Sequence, residues 1–250
     1  MTDLSVAIIT KNEEEMLPAC LESVSFSDDV VVVDSGSTDK TVEIARAFGC
    51  RVFVEAWKGD GPQKNSAIDK CLHEWVLILD ADERICDETR HEIERIVASG
   101  ESADAYSFPR KNLFHGRWIK HSGWWPDRII RLVRKSRGRY RSITHGIWAT
   151  TGTLAEARAP IEHHSFSRYS DMLQIMEERS TDMAKELFDA GKRAGAMTPF
   201  LHGFVMFLKV YVLKMGFLDG LDGFIIAFTR AGGSFLKYAK LVELQREKKQ

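Results

Sequence analysis

Short apolar runs alternate with polar, helix-like segments along the first third of the chain. Runs at residues 6–9, 30–33 and 75–79 are too short for helices and are bounded by polar residues, so they predict buried strands. A further strand is predicted at 51–55. Strands this apolar, separated by helices, are typical of a parallel sheet covered on both faces. The sequence therefore predicts an α/β fold with a mostly parallel sheet flanked by helices.

Helical segments fill the gaps between these strands. Polar residues from Lys11 predict a helix that runs toward residue 24, with its acidic side chains near the positive end. The turn at 35–39 predicts a cap for a second helix, which Gly49 closes. Residues 63–72 predict a third helix.

Beyond residue 104 the pattern changes to short, aromatic and basic segments, with strand-like runs at 105–110 and 128–133. Residues 169–190 predict an amphipathic helix. Residues 200–244 predict apolar helix interrupted by glycines. We therefore expect one α/β domain over residues 1–165 and a helical region over residues 166–250.

Composition narrows the class of protein. The 250 residues are 44% hydrophobic and 28% charged, as expected of a folded globular chain, and the net charge of −1 excludes a uniformly basic nucleic-acid coat. The four cysteines form no CxxC pair, which favours reduced thiols in a cytosolic protein. The N-terminus has no basic segment and only a short apolar run, so we expect synthesis to finish in the cytoplasm.

Polar side chains stand where three predicted strands end. Thr10, Asp34 and Asp80 occupy these positions, and ligands bind at the carboxyl ends of strands in such sheets. Asp80 and Asp82, one residue apart, offer the oxygen ligands that Mg²⁺ or Mn²⁺ shares with substrate phosphates. Such tripeptides also occur by chance in surface loops, but the position after a buried strand favours a metal site.

Two further segments suit a nucleotide. Asp34 could accept hydrogen bonds from a base or ribose, and the alternative is a plain turn. Residues 59–65 form a glycine-containing loop that leads into a helix, where backbone N–H groups suit a phosphate and Lys64 could add charge.

Four motifs, SVAIITKNEE, VVVVDSGSTDKT, GDGPQKNSAIDK and WVLILDADE, stand in this order over residues 4–90. Together they resemble the nucleotide-binding half of family 2 glycosyltransferases with the GT-A fold. HSGWWPDRIIRLVRK and GFLDGLDGFIIAFTRAGGSFLKYAKL are similar to a narrower group that contains the lipopolysaccharide inner-core β-1,4-glucosyltransferases, which act on a heptose. The resemblance implies a nucleotide-sugar half at 1–100 and an acceptor-side half at 101–165.

The resemblance also implies a UDP-sugar donor, with UDP-glucose first, and a divalent metal, Mn²⁺ or Mg²⁺. It implies Asp34 at the uracil or ribose, Asp80 near the ribose and diphosphate, and Asp82 on the metal, with Asp80 as a second candidate ligand. The residues expected to bind substrates are Thr10, Asn12, Glu13, Asp34, Gly36, Gln63, Lys64, Asn65, Asp80, Ala81, Trp124, Trp125, Arg128, Arg131, His145 and His163.

Asp127 is the candidate general base. An inverting transfer needs a carboxylate that takes the proton of the acceptor hydroxyl. Asp127 follows Trp124 and Trp125, whose aromatic faces suit a sugar ring. The alternative is that Asp127 only pairs with Arg128 or Arg131 to hold its loop.

One position departs from the resemblance. Related sequences often read Val-His-Glu where this chain has Thr144-His145-Gly146. Gly146 takes the place of that glutamate, so it is open which group, if any, supplies a carboxylate at this place. His145 and His163 could complete the metal site or contact the diphosphate, and the alternative for each is a structural hydrogen bond.

The basic, aromatic-rich stretch at 110–141 fits a diphosphate donor and a phosphorylated lipid acceptor, although it also resembles a surface for single-stranded nucleic acid. We expect no nucleic-acid partner.

Residues 200–218 are apolar but contain His202, Lys209 and Lys214, which favours a helix lying in the membrane interface over one that spans the bilayer. We expect a peripheral enzyme on the cytoplasmic face of the membrane, with a lipid-linked or lipopolysaccharide-core acceptor. The alternative is packing on the catalytic domain or on a twin subunit in a homo-oligomer.

Two other functions fit the motifs less well. A nucleotidyltransferase would want a glycine-rich loop directly after the first strand, where this chain has acidic residues. The only support for a membrane-associated scaffold without catalysis is Gly146, which stands where related sequences often have a glutamate.

Overall fold

The computed structural model describes residues 3–99, 103–141, 146–166 and 168–248. The strands are β1 Leu4–Thr10, β2 Asp29–Asp34, β3 Arg51–Val54, β4 Trp75–Asp80, β5 Glu83–Arg84, β6 Ala105–Phe114, β7 Arg117–Trp118, β8 Asp127–Arg134, β9 Gly138–Arg141, β10 Ile147–Thr150, β11 Leu154–Glu156 and β12 Ile161–Phe166. The α-helices are α1 Leu17–Ser23, α2 Thr41–Ala47, α3 Asp60–Lys70, α4 Asp87–Ser99, α5 Tyr169–Asp189, α6 Thr198–Phe207 and α7 Gly220–Glu247.

The main sheet has the order β3-β2-β1-β4-β8-β6-β12-β5. Its first four strands are parallel, and β8 then joins β4 and β6 in antiparallel pairs. The alternation of β1 explains why both faces of the sheet are covered. Val6 and Ile8 pack in a cluster with Leu17 of α1, whereas Ala7 packs in a second cluster with Ile68 of α3. The predicted α/β fold, a mostly parallel sheet flanked by helices, is confirmed.

The first helix begins later than the sequence predicts. It starts at Leu17 instead of Lys11, because tertiary hydrogen bonds hold the preceding residues in turns. The backbone N–H of Asn12 donates to Ser37 Oγ at 2.8 Å, and that of Glu13 donates to Thr41 Oγ1 at 2.7 Å. Asn12 has a φ of 55°, which no helix accepts.

The chain divides into two compact units. The first comprises residues 1–111 and 127–163, and the second comprises residues 112–126 and 164–250. Residues 112–126 therefore belong with the C-terminal helices, which the sequence pattern did not indicate.

The second unit contains α5, α6 and α7. Between α6 and α7 the chain forms a π-helical segment, Leu208–Leu213, and a 3-10 turn, Gly216–Asp219. A Cβ atom on Gly223 would collide with the carbonyl oxygen of Gly216, so this glycine permits the close approach of backbone at the bend. Gly232 and Gly233 interrupt no helix, because α7 continues through both.

Within the described residues, no single helix is long and apolar enough to cross a bilayer. One pair, Thr198–Leu213 with Gly216–Glu247, has sufficient length and apolar composition together but is bent by 68°.

Candidate functional site

The ends of three strands meet at one edge of the sheet in the first unit. Thr10 lies beside Asp34 in the β1–β2 register, and Ile9 lies beside Asp80 in the β1–β4 register. The structure therefore brings together the three strand-terminal residues that the sequence pattern singles out. Thr10 Oγ1 is buried there without a hydrogen-bond partner.

Two cations hold the carboxylate of Asp80. Arg131 Nη2 donates to Asp80 Oδ2, and Lys64 Nζ lies 3.2 Å from Oδ1. Burial opposes the ionised carboxylate, yet Arg131 and Lys64 hold the pKa of Asp80 well below its usual range. Asp80 is therefore a fixed anion whose oxygens are already engaged by the protein.

Glu83 is a site residue that the sequence reasoning missed. Its side chain is fully buried, its Oε1 accepts a hydrogen bond from Arg131 Nη2 at 2.7 Å, and its Oε2 accepts one from the backbone N–H of Asp80 at 3.1 Å. Burial raises its pKa, against the effect of Arg131. The signal was its place directly after Asp80-Ala81-Asp82, since an acidic residue in a buried strand requires a partner.

The second carboxylate of the tripeptide has a different environment. Asp82 Oδ2 lies 3.2 Å from His163 Nε2, and the side chains are 29% and 15% exposed. The β5–β12 register creates this contact, because His163 stands beside Glu83 across the strand pair. Ala81, between the carboxylates, is buried and points away from solvent.

Asp82 and His163 fit a divalent cation better than Asp80 does. An oxygen and a nitrogen donor stand side by side and partly open to solvent, while Lys64 and Arg131 compete for Asp80. No group of three or more His, Cys, Asp or Glu side chains suited to a metal occurs among the described residues. The protein would thus supply few ligands, as in sites that share Mg²⁺ with substrate phosphates.

Glu13 lies close to Asp82, and its pKa is raised by burial and by neighbouring negative charge. Burial, and then the charges of Asp82 and Asp39, raise the pKa of Glu13 to about 7. A carboxyl group whose ionisation is opposed by neighbouring carboxylates marks a place where a cation would be favourable.

Asp34 points into its own loop. Its Oδ1 accepts the backbone N–H of Gly36 at 2.9 Å and of Ser37 at 2.8 Å, and the Ser37 hydroxyl donates to Oδ2. Gly36 has a φ of +85°, which allows the tight turn. Asp34 is 1% exposed, so it shapes the loop, and its contact with a base or ribose stays a prediction.

The helix α3 begins three residues earlier than predicted, at Asp60 after Gly59 with its φ of 100°. Its side chains bind protein partners. Lys64 Nζ lies 2.9 Å from Asp60 Oδ1 as well as near Asp80. Gln63 Nε2 donates to Ser35 Oγ at 3.2 Å.

Asn65 pairs with the backbone of Tyr140 through both ends of its amide group, at 2.9 Å each. It therefore fastens α3 to β9, and its expected role with a substrate stays a prediction.

Asp60 occupies the space beside Gly146. The backbone N–H of Gly146 donates to Asp60 Oδ2 at 2.7 Å, and a Cβ atom at position 146 would lie 2.6 Å from that oxygen and 2.9 Å from Tyr140 Cδ1. A glutamate at position 146 would require these neighbours to move. His145 lies outside the described residues.

Asp127 pairs with Arg110, a partner that the sequence did not suggest. Arg110 Nε and Nη2 donate to Asp127 Oδ2 at 3.0 and 2.5 Å, and Arg110 Nη1 lies 3.9 Å from Glu83 Oε1. Arg128 instead donates to the carbonyl oxygen of Ala157 at 3.0 Å. Asp127 is 36% exposed, so its carboxylate is accessible from solvent, and its role as a general base stays a prediction.

Trp124 and Trp125 belong to the second unit. Trp124 is 7% exposed and packs in a cluster with Phe114 and Ile226. Trp125 makes an edge-to-face contact with Trp118 at 5.0 Å. Their contact with a sugar ring stays a prediction.

Comparisons of the sequence with a family profile and with known proteins all give matches to glycosyltransferases. A sequence profile described as Glycosyl transferase family 2 matches residues 5–158. An uncharacterized glycosyltransferase of Rickettsia typhi is 32% identical and aligns over 98% of this chain and 88% of its own. The lipopolysaccharide core biosynthesis glycosyltransferase LpsC of Rhizobium meliloti is 30% identical over 96% of this chain and 92% of its own. Among solved structures, S. aureus TarS 1–349 is 16% identical, covering 98% of this chain and 91% of its own, with a TM-score of 0.47.

Proposed function

Because the chain belongs to glycosyltransferase family 2, we propose that it is an inverting, metal-dependent hexosyltransferase. It takes its sugar from a UDP-sugar, with UDP-glucose as the first candidate, and transfers it to an acceptor hydroxyl. The observation that carries the proposal is the contrast between Asp80, held by two cations, and Asp82, which stands 3.2 Å from His163 and partly open to solvent.

Asp82 and His163 are the proposed protein ligands of Mn²⁺ or Mg²⁺. When bound, the cation would neutralise charge that builds on the departing diphosphate. The raised pKa of Glu13 is consistent with this placement, because the charges of Asp82 and Asp39 add to the effect of burial. Asp80 has a different role, since Lys64 and Arg131 fix its carboxylate near the expected ribose and diphosphate.

Asp127 is the proposed general base. The acceptor oxygen forms a bond to the anomeric carbon, the bond from that carbon to the diphosphate oxygen breaks, and the hydroxyl proton passes to Asp127. Arg110 orients the carboxylate by two hydrogen bonds from its Nε and Nη2 to Oδ2.

The acceptor is proposed to be lipopolysaccharide core or another cell-envelope glycan. The relative LpsC is named for lipopolysaccharide core biosynthesis and aligns over nearly the whole chain. The sequence resemblance to inner-core glucosyltransferases points in the same direction.

Attachment to the cytoplasmic membrane face through the second unit is part of the same proposal. Phe200, Leu201, Phe204 and Leu213 are each more than half exposed, and exposed apolar side chains in such number are typical of a membrane or protein contact. A homo-oligomer that uses the same side chains is the alternative.

Thermal unfolding with UDP, in the presence and absence of Mn²⁺, tests the proposal. A ligand that binds only the folded state adds about 2.7 kcal/mol of stability at a hundredfold excess over its Kd. UDP with Mn²⁺ should raise the Tm of the wild type more than UDP alone. Asp82→Asn should lose the Mn²⁺-dependent part of the shift.

Asp87→Asn is the matched control, because Asp87 is exposed in the first turn of α4 and should leave the shift unchanged. Equal Mn²⁺-dependent shifts in wild type and Asp82→Asn would remove Asp82 from the metal site. If no nucleotide changes the Tm, the proposal that the donor is a nucleotide sugar is wrong.

A further inference from the structure

The second unit contains an apolar cavity, partly open to solvent, that is lined by α5, α6 and α7. Its volume is about 300 Å³. Apolar side chains that line it include Met172 and Met176 of α5, Met206 of α6, Ile226 of α7 and Trp124. Flexible methionines adapt to chains of varied shape, so this lining suits an apolar ligand without a fixed outline.

The charged part of the lining is cationic. Arg179 comes from α5, and Arg230 and Lys237 stand seven residues apart on one face of α7. Among the residues that the structure describes, no Asp or Glu lines the cavity. An apolar space with only positive charge along its lining is complementary to an anion attached to an apolar chain.

Small residues of α7 keep the space available. Gly233 and Ser234 both line the cavity, and a Cβ atom on Gly233 would lie 3.1 Å from Met176 Cγ. Burial lowers the pKa of Lys237, as expected of an ammonium group partly withdrawn from water. An anionic partner would offset that loss of hydration.

We propose that this cavity binds one acyl chain of an anionic amphiphile, with its carboxylate or phosphate head at Arg179, Arg230 and Lys237. The volume is at the lower end of the roughly 300–1,000 Å³ of ligand pockets, which favours one chain over the two chains of a phospholipid. The inference goes beyond the proposed function, because the cavity lies wholly within the second unit and contains no residue assigned to the metal, the diphosphate or the base. Trp124, which the sequence suggests for a sugar ring, is buried against this cavity.

Quenching of tryptophan fluorescence by a bromine-tipped dodecanoic acid tests the proposal on the full chain. The quencher should act saturably on Trp124, so Trp124→Phe should remove the saturable component although five other tryptophans remain of the six. Dodecyl phosphate should displace the acid. Quenching that is unsaturable, or equal in Trp124→Phe, would mean adsorption on exposed apolar side chains and would overturn the proposal.

A matched pair at Ser234 tests the volume. Ser234→Leu fills part of the cavity and should weaken binding roughly tenfold, a difference of about 1.4 kcal/mol. Ser234→Ala keeps the space and should bind as the wild type does. Equal affinity of the leucine and alanine variants, at an unchanged circular dichroism spectrum, would contradict binding in this cavity.

The charge is tested separately, with variants that leave the apolar lining intact. Arg179→Gln combined with Arg230→Gln should weaken dodecanoate and dodecyl phosphate but leave dodecanol unchanged. A stronger loss for the phosphate than for the carboxylate would assign a phosphate head. Equal affinity of the wild type for dodecanol and dodecyl phosphate would overturn the proposal that the ligand has an anionic head. A dimer that binds none of the three compounds would overturn the proposal and assign the cavity to a contact with a second copy of the chain.

Discussion

The two units depart from ordinary globular packing in opposite ways. The first unit buries charges at its strand ends, where Glu83 and Arg131 are almost inaccessible to solvent. The second unit exposes apolar side chains, with Leu213 at 77% and Leu201 at 63%. Buried charges need partners, and exposed apolar surface needs a cover. In each unit, the departure from ordinary packing coincides with the residues for which we propose a function.

The comparison depends most on Asp127, a carboxylate of the first unit that combines a fixed partner, Arg110, with access to solvent. Asp127→Asn should reduce sugar transfer about 10²–10⁴-fold, the range for loss of a general base. Donor binding should persist, because the metal and diphosphate contacts are proposed elsewhere. Initial rates with UDP-glucose and an acceptor, together with the UDP-dependent Tm shift, measure the two effects.

The matched variant is Arg110→Lys, which keeps the positive charge but loses the two-pronged contact with Oδ2. It should lower the turnover number more than it raises the KM for UDP-glucose. Near-normal turnover of Asp127→Asn would remove Asp127 from the mechanism.

The sheet and its functional edge follow from local sequence, whereas the partners of the charged residues do not. Apolar runs ending in Thr10, Asp34 and Asp80 indicate strands and a common edge, because parallel strands bring their carboxyl ends together. Glu83 was missed because its partner Arg131 comes from an antiparallel strand 48 residues later. No periodicity encodes such a pairing.

Local propensity also failed at the start of α1, for a related reason. The sequence after Lys11 favours helix, but the hydroxyls of Ser37 and Thr41 accept the backbone N–H groups that the helix would have oriented otherwise. Likewise, residues 112–126 join the second unit although the first three of them still belong to strand β6. Tertiary hydrogen bonds determine where α1 begins, and the topology of the chain determines which unit contains residues 112–126.

The buried cluster can be broken at Arg131. Arg131→Met should lower the free energy of unfolding by about 3–5 kcal/mol, because Asp80 and Glu83 would be left as buried, partly unpaired carboxylates. Urea unfolding measures the effect. Arg134→Met on the same strand is the control: its guanidinium stacks 4.4 Å from the Trp75 ring centroid, and its loss should cost about 0.5–1 kcal/mol. Equal costs would mean that the cluster contributes no special stability.

Substitution of exposed apolar side chains should have the smallest effect on stability, but its effect on membrane binding should differ between the two units. Leu213 of the second unit and Leu72 of the first are 77% and 68% exposed, so a serine at either position should change the free energy of unfolding little. Binding to vesicles of anionic phospholipid should respond differently. Leu213→Ser should weaken it tenfold or more, since withdrawal of a leucine from the interface costs about 1.5–3 kcal/mol. Leu72→Ser should leave it unchanged. Sedimentation with vesicles measures both, and equal losses in the two variants would mean that no surface of the second unit is specialised for the membrane.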